Sequence, residues 1–400
     1  MNYYLVNIDT GHLVGCNLIA ASFIREWIKG GVEGDREIFA EMARRGFSRR
    51  NTRIIAECYE NGTPTILAAQ LNLTWKCNLK CKHCYVGNNM LLAPPLAFDE
   101  WVCIIQELKN LNVPRIAFLG GEPILFKYFF DLSQVARDQG FKILTSTNGT
   151  QIDRQTARSI KQAGYTEVDV SLDGGLPSTH EALRGYGTFR KTLQGIRFLL
   201  EESLSVKTAT VLHKSNFREV LEIAKIAEQM GVEHCFFNNL VPGGHGADLW
   251  RSERLDTAEL EEVKRVVFRW NQLHEQPRLF MELHFDYKIL DRKLLTVPSS
   301  YAGCKAGRRE ILIRPDGYVA PCPLFLTNPV VLKSNVRDMS ILDIWSKDSA
   351  ILQFRRANDE ANLKGKCSNC GFKSLCKGGC HAAAYHDSHD LCNPDPRCPQ

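Results

Sequence analysis

Between residues 65 and 290, strand-like runs alternate with helical runs, and this alternation restricts the possible folds more than any other feature of the chain. The strand-like runs are TILAAQLNLT, RIAFLG, KILTST, EVDVSLD, VKTATVLH and HCFFNNLV. In the helical run FDEWVCIIQELKNL, Phe98, Val102, Ile105 and Leu108 share one stripe. The run NFREVLEIAKIAEQMG closes on Gly231, a C-cap signal. Six such units predict a parallel sheet with right-handed crossovers and its chemistry at the strand C-termini. A closed barrel takes about eight units. The expected fold is therefore α/β, a partial (βα)6 TIM-like barrel, open enough to admit a large substrate.

The flanks differ. Residues 1–62 predict a small α+β, winged-helix-like module. YYLVNI, the turn DTG and HLVGCN form a hairpin, and three helical stretches follow at 18–29, 35–45 and 48–59. Residues 300–400 hold two short strands, ILIRP and YVAPC around DG, then one helix over LDIWSKDSAILQFRRAN. The remainder is rich in glycine and cysteine. It buries too little apolar surface to fold unaided, so ligand bonds are expected to hold it. The expected domains are thus 1–62, 65–290 and 300–400.

Composition excludes several classes. Of 400 residues, 44% are hydrophobic and 24% charged, which fits a globular chain rather than a disordered one. No apolar run approaches the roughly 20 residues of a membrane span, and the N-terminus lacks a signal-peptide pattern. The net charge of +5 does not by itself point to nucleic acid. A cytoplasmic protein with no membrane or nucleic-acid partner is expected.

Fifteen cysteines in such a chain point to metal rather than disulfides. Cys16, Cys58, Cys103 and Cys235 stand alone and read as small apolar core residues. Cys77, Cys81 and Cys84 form a C-x3-C-x2-C loop, CNLKCKHC, directly after the first barrel strand. Three thiolates hold three irons of a cube and leave the fourth open to a small molecule, whereas an electron carrier supplies four cysteines. Lys76, Lys80, Lys82 and His83 crowd the loop, and positive charge favours thiolate. A zinc site completed by His83 is the bland alternative.

This loop resembles the signature of the radical S-adenosylmethionine enzymes, in which an aromatic residue lies beside the last cysteine; Tyr85 follows Cys84 here. The resemblance continues in Gly120, Gly121, Glu122 and Pro123. It implies that this segment binds the methionyl amino group, with glycines allowing close approach and a carboxylate pairing with an ammonium. Looser matches implied to face the cofactor are Thr147 and Asn148, Ser171 and Asp173, Arg184 in HEALRG, and Asn238 and Asn239. Each lies at or just beyond a strand end. The cofactors implied are a [4Fe–4S] cluster and S-adenosylmethionine, which together yield a 5′-deoxyadenosyl radical that removes hydrogen from an unactivated carbon. The implied electron donor is of the flavodoxin or ferredoxin kind.

The C-terminal spacing C304-x12-G317-x4-C322, then C367-x2-C370-x5-C376-x3-C380, then C398, resembles the SPASM extension, which carries auxiliary iron–sulfur clusters. By that resemblance Cys304, Cys322 and Cys380 hold one auxiliary cluster, and Cys367, Cys370, Cys376 and Cys398 hold the second. Cys392 is the rival for the last place. The zinc-ribbon alternative rests on Cys367 and Cys370. Many family members have a further cysteine ahead of the position of Cys304, where this chain has LTVPSSYAG. Sulfatase-maturing relatives carry an aspartate where this chain has Pro323, which argues against that activity.

The N-terminal module weakly resembles the PqqD-like recognition element, which binds a leader peptide along a sheet edge. Arg44, Arg45, Arg49, Arg50 and Arg53 lie within ten residues with no acid, as an acidic leader would require. The function expected is modification of a ribosomally made precursor peptide: thioether, carbon–carbon crosslink, epimerisation or backbone excision. A tetrapyrrole or other small-molecule modifier is the second reading, and a non-catalytic iron–sulfur protein the third.

Overall fold

The computed structural model describes residues 3–7, 13–16, 47–50, 52–56, 58–87, 91–281, 303–328 and 331–398, with isolated residues between 21 and 43. Strands β1 (Tyr3–Asn7) and β2 (Leu13–Cys16) form the expected antiparallel hairpin. Of the described residues of the 18–29 stretch, Ala21, Ile24, Arg25, Trp27 and Ile28 are helical and Lys29 is in a turn. Of the helix expected at 35–45, only Met42 and Ala43 lie within the described residues, and both are helical.

The third expected helix is a strand. β3 (Thr52–Ala56, TRIIA) pairs antiparallel with β1, Leu5 facing Ile54, to give the order β2-β1-β3. Its residues are mostly β-branched, and pairing with β1 outweighs any local helical preference. Leu5, Ile24, Met42 and Phe47 are buried together beneath this sheet.

The main sheet opens with β4 (Ala68–Thr74), followed by α1 (Phe98–Asn110), β5 (Arg115–Gly120), α2 (Phe129–Asp138), β6 (Lys142–Thr147), α3 (Arg154–Ala163) and β7 (Glu167–Ser171). Two helices, α4 (Pro177–Arg184) and α5 (Thr188–Glu201), lead to β8 (Ser205–Leu212). Then come α6 (Val220–Met230), β9 (His234–Asn239), α7 (Gly246–Glu253), α8 (Thr257–Leu273) and β10 (Arg278–Met281). Gly231 caps α6 at φ 82°, a left-handed conformation that glycine adopts without strain.

All strands from β4 to β10 run parallel and neighbour one another in chain order. β10 is a seventh strand beyond the expected six. Its four residues, RLFM, are too short for a period to show. The sheet cannot close, because β11 (Glu310–Ile313) pairs parallel with the outer edge of β4 and carries β12 (Val319–Ala320) beyond it. The short C-terminal strands thus extend the main sheet. Parallel order brings the C-terminal ends of β4 to β9 to one rim.

Burial alternates along β6, β7 and β8, and one face packs on α1 to α6 around Trp101, Ile105, Leu108, Phe118 and Phe129. Cys235 lies in this core and Cys58 is half-buried, but Cys103 is exposed on α1, contrary to its reading as a core residue. The side chain of Cys16 lies outside the described residues.

The single helix expected over residues 342–358 is two, α9 (Ile341–Lys347) and α10 (Ser349–Ala357). Asp348 ends the first and caps the second: its Oδ1 accepts from the backbone N–H groups of Ala350 and Ile351 at 2.9 and 3.0 Å. Its Oδ2 accepts from Ser334 Oγ at 2.6 Å. Asp348→Ala is expected to lower unfolding stability by about 1–2 kcal/mol, read by chemical denaturation; an unchanged midpoint would show that the cap contributes nothing. Two short helices, α11 (Lys373–Cys376) and α12 (His381–Ser388), complete the chain.

Candidate functional site

The loop after β4 carries Cys77, Cys81 and Cys84, and its backbone is clamped from three directions. Gly121 N–H donates to Thr74 O at 2.7 Å and Glu122 N–H to Lys76 O at 2.8 Å, tying it to the turn after β5. Lys82 N–H donates to Leu183 O at 2.9 Å, tying it to the end of α4, and His245 N–H donates to Cys84 O at 2.9 Å. A Cβ at Gly121 would stand 2.4 Å from Lys76 O and 2.7 Å from Trp75 O, so only glycine fits against the loop. Gly121→Ala must displace backbone. It is expected to cost about 1–3 kcal/mol and to impair S-adenosylmethionine binding, read by calorimetry; normal binding would sink this.

The three thiols, Tyr85, Gly120 and Gly121 line a cavity of about 190 Å³ that is partly open to solvent. Thr147, Asn148, Ser171 and Arg184 line it as well. The other expected cofactor residues do not. Glu122 is buried behind the cavity, its Oε1 accepting from Thr147 Oγ1 at 2.7 Å and its Oε2 from Asn148 N–H at 2.9 Å. Its carboxylate therefore braces the end of β6. Burial raises its pKa against these hydrogen bonds. Pro123, itself buried, starts a 3-10 turn. Asn238 and Asn239 end β9 just before Leu240 and Val241, which do line the cavity.

Asp173 is fully buried beneath Arg184. Its Oδ2 meets Arg184 Nε and His83 Nε2, the latter at 3.1 Å, and its Oδ1 accepts from Val211 N–H at 2.7 Å. Burial alone would raise this carboxyl, but Arg184 and His83 outweigh it and hold it well below the usual carboxylate range. Arg184 Nη1 also lies 3.9 Å from Cys81 Sγ. This guanidinium touches the thiol group, whereas Lys76, Lys80 and Lys82 are exposed around it. Burial pushes the Cys81 thiol up to about 11, with Arg184 opposing. Metal coordination deprotonates such a thiol outright.

His83, read from the sequence as part of the charged loop and as the fourth ligand of the zinc alternative, is a cavity wall whose buried Nδ1 has no hydrogen-bond partner among the described residues. One feature escaped the sequence reading. The segment PGGHG after β9 packs on the cysteine loop: a Cβ at Gly244, at φ +51°, would stand 2.5 Å from Cys84 O. Three glycines within four residues beyond a strand end were the available signal. The donor set fits an iron–sulfur cluster with a small-molecule ligand: three thiols at a cavity, a glycine cradle, a buried cation and an unpaired imidazole nitrogen.

Farther along, the cysteines gather into two groups. Cys322 and Cys380 are buried in an apolar cluster with Trp250, Phe325 and Phe354, and Cys304 packs against it. Burial, then the neighbouring Cys304 and Cys380, push Cys322 well up. Cys376 is pushed up to about 12 by burial and by Cys398 and Cys367, and Cys367 is raised by burial, Cys398 and Cys370. Cys392 stands apart, beside Asp390, Lys364 and Arg356. Apart from Gly303, the segment LTVPSSYAG lies outside the described residues. Pro323 opens a 3-10 turn directly after Cys322.

The radical SAM superfamily model matches residues 71–227, and the SPASM model, an iron–sulfur cluster-binding domain, matches residues 304–371. The AdoMet-dependent heme synthase of Nitratidesulfovibrio vulgaris is 28% identical over 352 residues, covering 85% of this chain and 94% of that protein. The mycofactocin maturase MftC of Mycolicibacterium smegmatis is 28% identical over 348 residues, covering 86% and 85%. Streptococcus suis SuiB shares the fold. Its structure bound to S-adenosylmethionine superposes at TM-score 0.74 with 19% identity, covering 99% of this chain and 96% of that one. Its structure bound to the precursor peptide SuiA gives 0.74 with 17% identity, covering 100% and 98%.

Proposed function

Starting from a radical SAM enzyme with a SPASM domain, which uses a [4Fe–4S] cluster, S-adenosylmethionine and auxiliary iron–sulfur clusters, we propose that the substrate is a ribosomally made precursor peptide. The modification is one of those that begin with hydrogen abstraction: a thioether, a carbon–carbon crosslink, an epimerisation or a backbone excision. The N-terminal residues 1–62 serve as a PqqD-like recognition module of winged-helix type, residues 65–290 as the radical domain and residues 300–400 as the auxiliary-cluster domain.

The observation that carries this reading is the outer edge of β3. Among the described residues β3 pairs only with β1, and its other side borders an open groove of about 780 Å³. Arg53, Ile54, Ile55 and Ala56 of β3 line it, together with Tyr59 and Lys109. An extended peptide can add a strand to such an edge, with backbone hydrogen bonds supplying affinity. Arg53 lines the groove, Arg49 and Arg50 are exposed in the turn just before β3, and these charges suit an acidic leader, while Arg44 and Arg45 lie outside the described residues. The fold shared with SuiB, solved with a precursor peptide, and the likeness to MftC support the same reading.

When bound and reduced, with an electron from a donor such as flavodoxin or ferredoxin, the cluster and S-adenosylmethionine supply a 5′-deoxyadenosyl radical. The chain's own residues do the rest. Cys77, Cys81 and Cys84 hold iron, and the Gly120–Gly121 backbone gives close approach for the methionyl end. Glu122 fixes Thr147 and Asn148 at the cavity wall. Asp173 fixes Arg184, whose guanidinium stands where a carboxylate can pair with it. Tyr85, Val86, Leu240 and Val241 give the cavity an apolar side that limits water.

The likeness to heme synthase favours a second reading, a tetrapyrrole or other small-molecule substrate. A peptide display library panned on the whole protein, with coproporphyrin as a parallel arm, separates the two. Acidic peptides are expected to be enriched, to stimulate 5′-deoxyadenosine formation and to change in mass. Arg50→Glu with Arg53→Glu is expected to weaken their binding at least ~10-fold, since each charge reversal acts beside the docking edge. Stimulation by porphyrin alone would replace the peptide reading. No helix among the described residues is long and apolar enough to cross a membrane.

A further inference from the structure

The two auxiliary thiol groups meet at one turn near the end of the chain. Asp395 is fully buried and Arg397 nearly so. Their ion pair is bidentate, Arg397 Nε donating to Oδ1 at 3.0 Å and Nη2 to Oδ2 at 2.8 Å. The same Oδ2 accepts the backbone N–H of Cys380 at 2.9 Å. The carbonyl oxygen of Asp395 accepts the backbone N–H of Cys398 at 3.0 Å. One residue thus holds a cysteine from each group. Arg397 in turn lies over the ring of Trp250, 5.5 Å from its centroid, in the apolar cluster that contains Cys322 and Cys380.

A buried ion pair is a poor device for stability alone, because well-packed apolar residues do as well or better. Its location suggests another use. The carboxylate is close enough to act on Cys367, Cys376 and Cys380, and the guanidinium on Cys380. Charges and hydrogen bonds around the sulfurs of an iron–sulfur cluster set its reduction potential.

We propose that Asp395 and Arg397 are positioning residues shared by the two auxiliary clusters, locking Cys380 and Cys398 in one frame while the balance of their charges sets the relative potentials of the two clusters. The proposal rests on reading Cys304, Cys322 and Cys380, and Cys367, Cys370, Cys376 and Cys398, as two ligand sets.

The test is a redox titration of the reconstituted full chain, followed by electron paramagnetic resonance, with iron and sulfide counted for every variant. Asp395→Asn keeps an acceptor for Cys380 N–H but removes the negative charge, so the auxiliary potentials are expected to rise. Arg397→Gln removes the positive charge, so the potential of the cluster at Cys380 is expected to fall. Arg397→Lys keeps the charge and is expected to restore a value near wild type. Opposite shifts at two halves of one ion pair are what a merely structural contact does not produce. Unchanged potentials in both variants, or shifts in the same direction, would overturn the proposal. If Asp395→Asn does not fold, Arg397→Gln against Arg397→Lys decides alone, and equal potentials there overturn it. Wild-type protein that holds no iron beyond the set bound by Cys77, Cys81 and Cys84 would instead remove the ligand-set reading, and the proposal with it.

Discussion

Replacing Cys77, Cys81 and Cys84 together by alanine is expected to reduce 5′-deoxyadenosine formation below detection under anaerobic, reducing conditions. The physical reason is the shape of the donor set. Three thiols are the soft ligands at this cavity, and the other polar groups lining it include hydroxyls, an amide, an imidazole and the Arg184 guanidinium. None of these replaces three thiolates on iron. Iron content is expected to fall by about four per chain, with the remainder retained by the cysteines from Cys304 onward. Measuring product by mass spectrometry and iron by colorimetry separates the outcomes. Product from the triple variant would remove the loop from the chemistry. Loss of all iron would mean that the later cysteines do not bind clusters independently.

Asp173→Ala is expected to produce the largest loss of stability of any single substitution at the site, about 3–5 kcal/mol. The carboxylate is fully buried and compensates Arg184, also buried, with His83 in contact. Removing it leaves a guanidinium uncompensated away from water and frees Val211 N–H and the end of α4. The double variant Asp173→Ala with Arg184→Met is expected to recover part of the loss, because no unpaired charge remains. A double variant no more stable than Asp173→Ala would show that packing, not charge, dominates.

The same pair makes stability depend on pH. The folded carboxyl titrates below its unfolded value of about 4, because Arg184 and His83 overcome its burial. Its contribution is therefore fully present above that value and is lost as pH falls through the folded one. The stability gap between wild type and Asp173→Asn is expected not to narrow from about pH 8 to pH 5 and to narrow only in stronger acid. A gap that narrows near neutrality would contradict this assignment.

How much of this was legible follows from the range of the interactions involved. Strands β4 to β9 could be read because each is a short run rich in apolar and β-branched residues, with burial alternating along β6 to β9, and the helix between successive strands forces parallel order. The cysteine groups were visible because loop spacing is a local property. The third N-terminal helix was misread because TRIIA becomes a strand only by pairing with β1, some fifty residues away. The protein partners of Glu122 were not legible for a similar reason. Motif position says which turn it occupies, but the partners that take its two oxygens arrive with β6. Arg184 was expected at the cofactor, and only packing revealed that Asp173 holds it. Cys398 was grouped with Cys367, Cys370 and Cys376 by the resemblance, and the folded chain adds that Cys392 lies beside Asp390, Lys364 and Arg356.

By itself, the sequence determined the parallel architecture, the rim at which chemistry can occur and the supply of thiols, because each depends on patterns within a few residues. Tertiary structure alone decided that β11 extends the main sheet, that Asp348 divides a helix and that Asp395 spans two cysteine groups. Each of these depends on a partner brought close by packing, and a partner's position is a property of the whole fold.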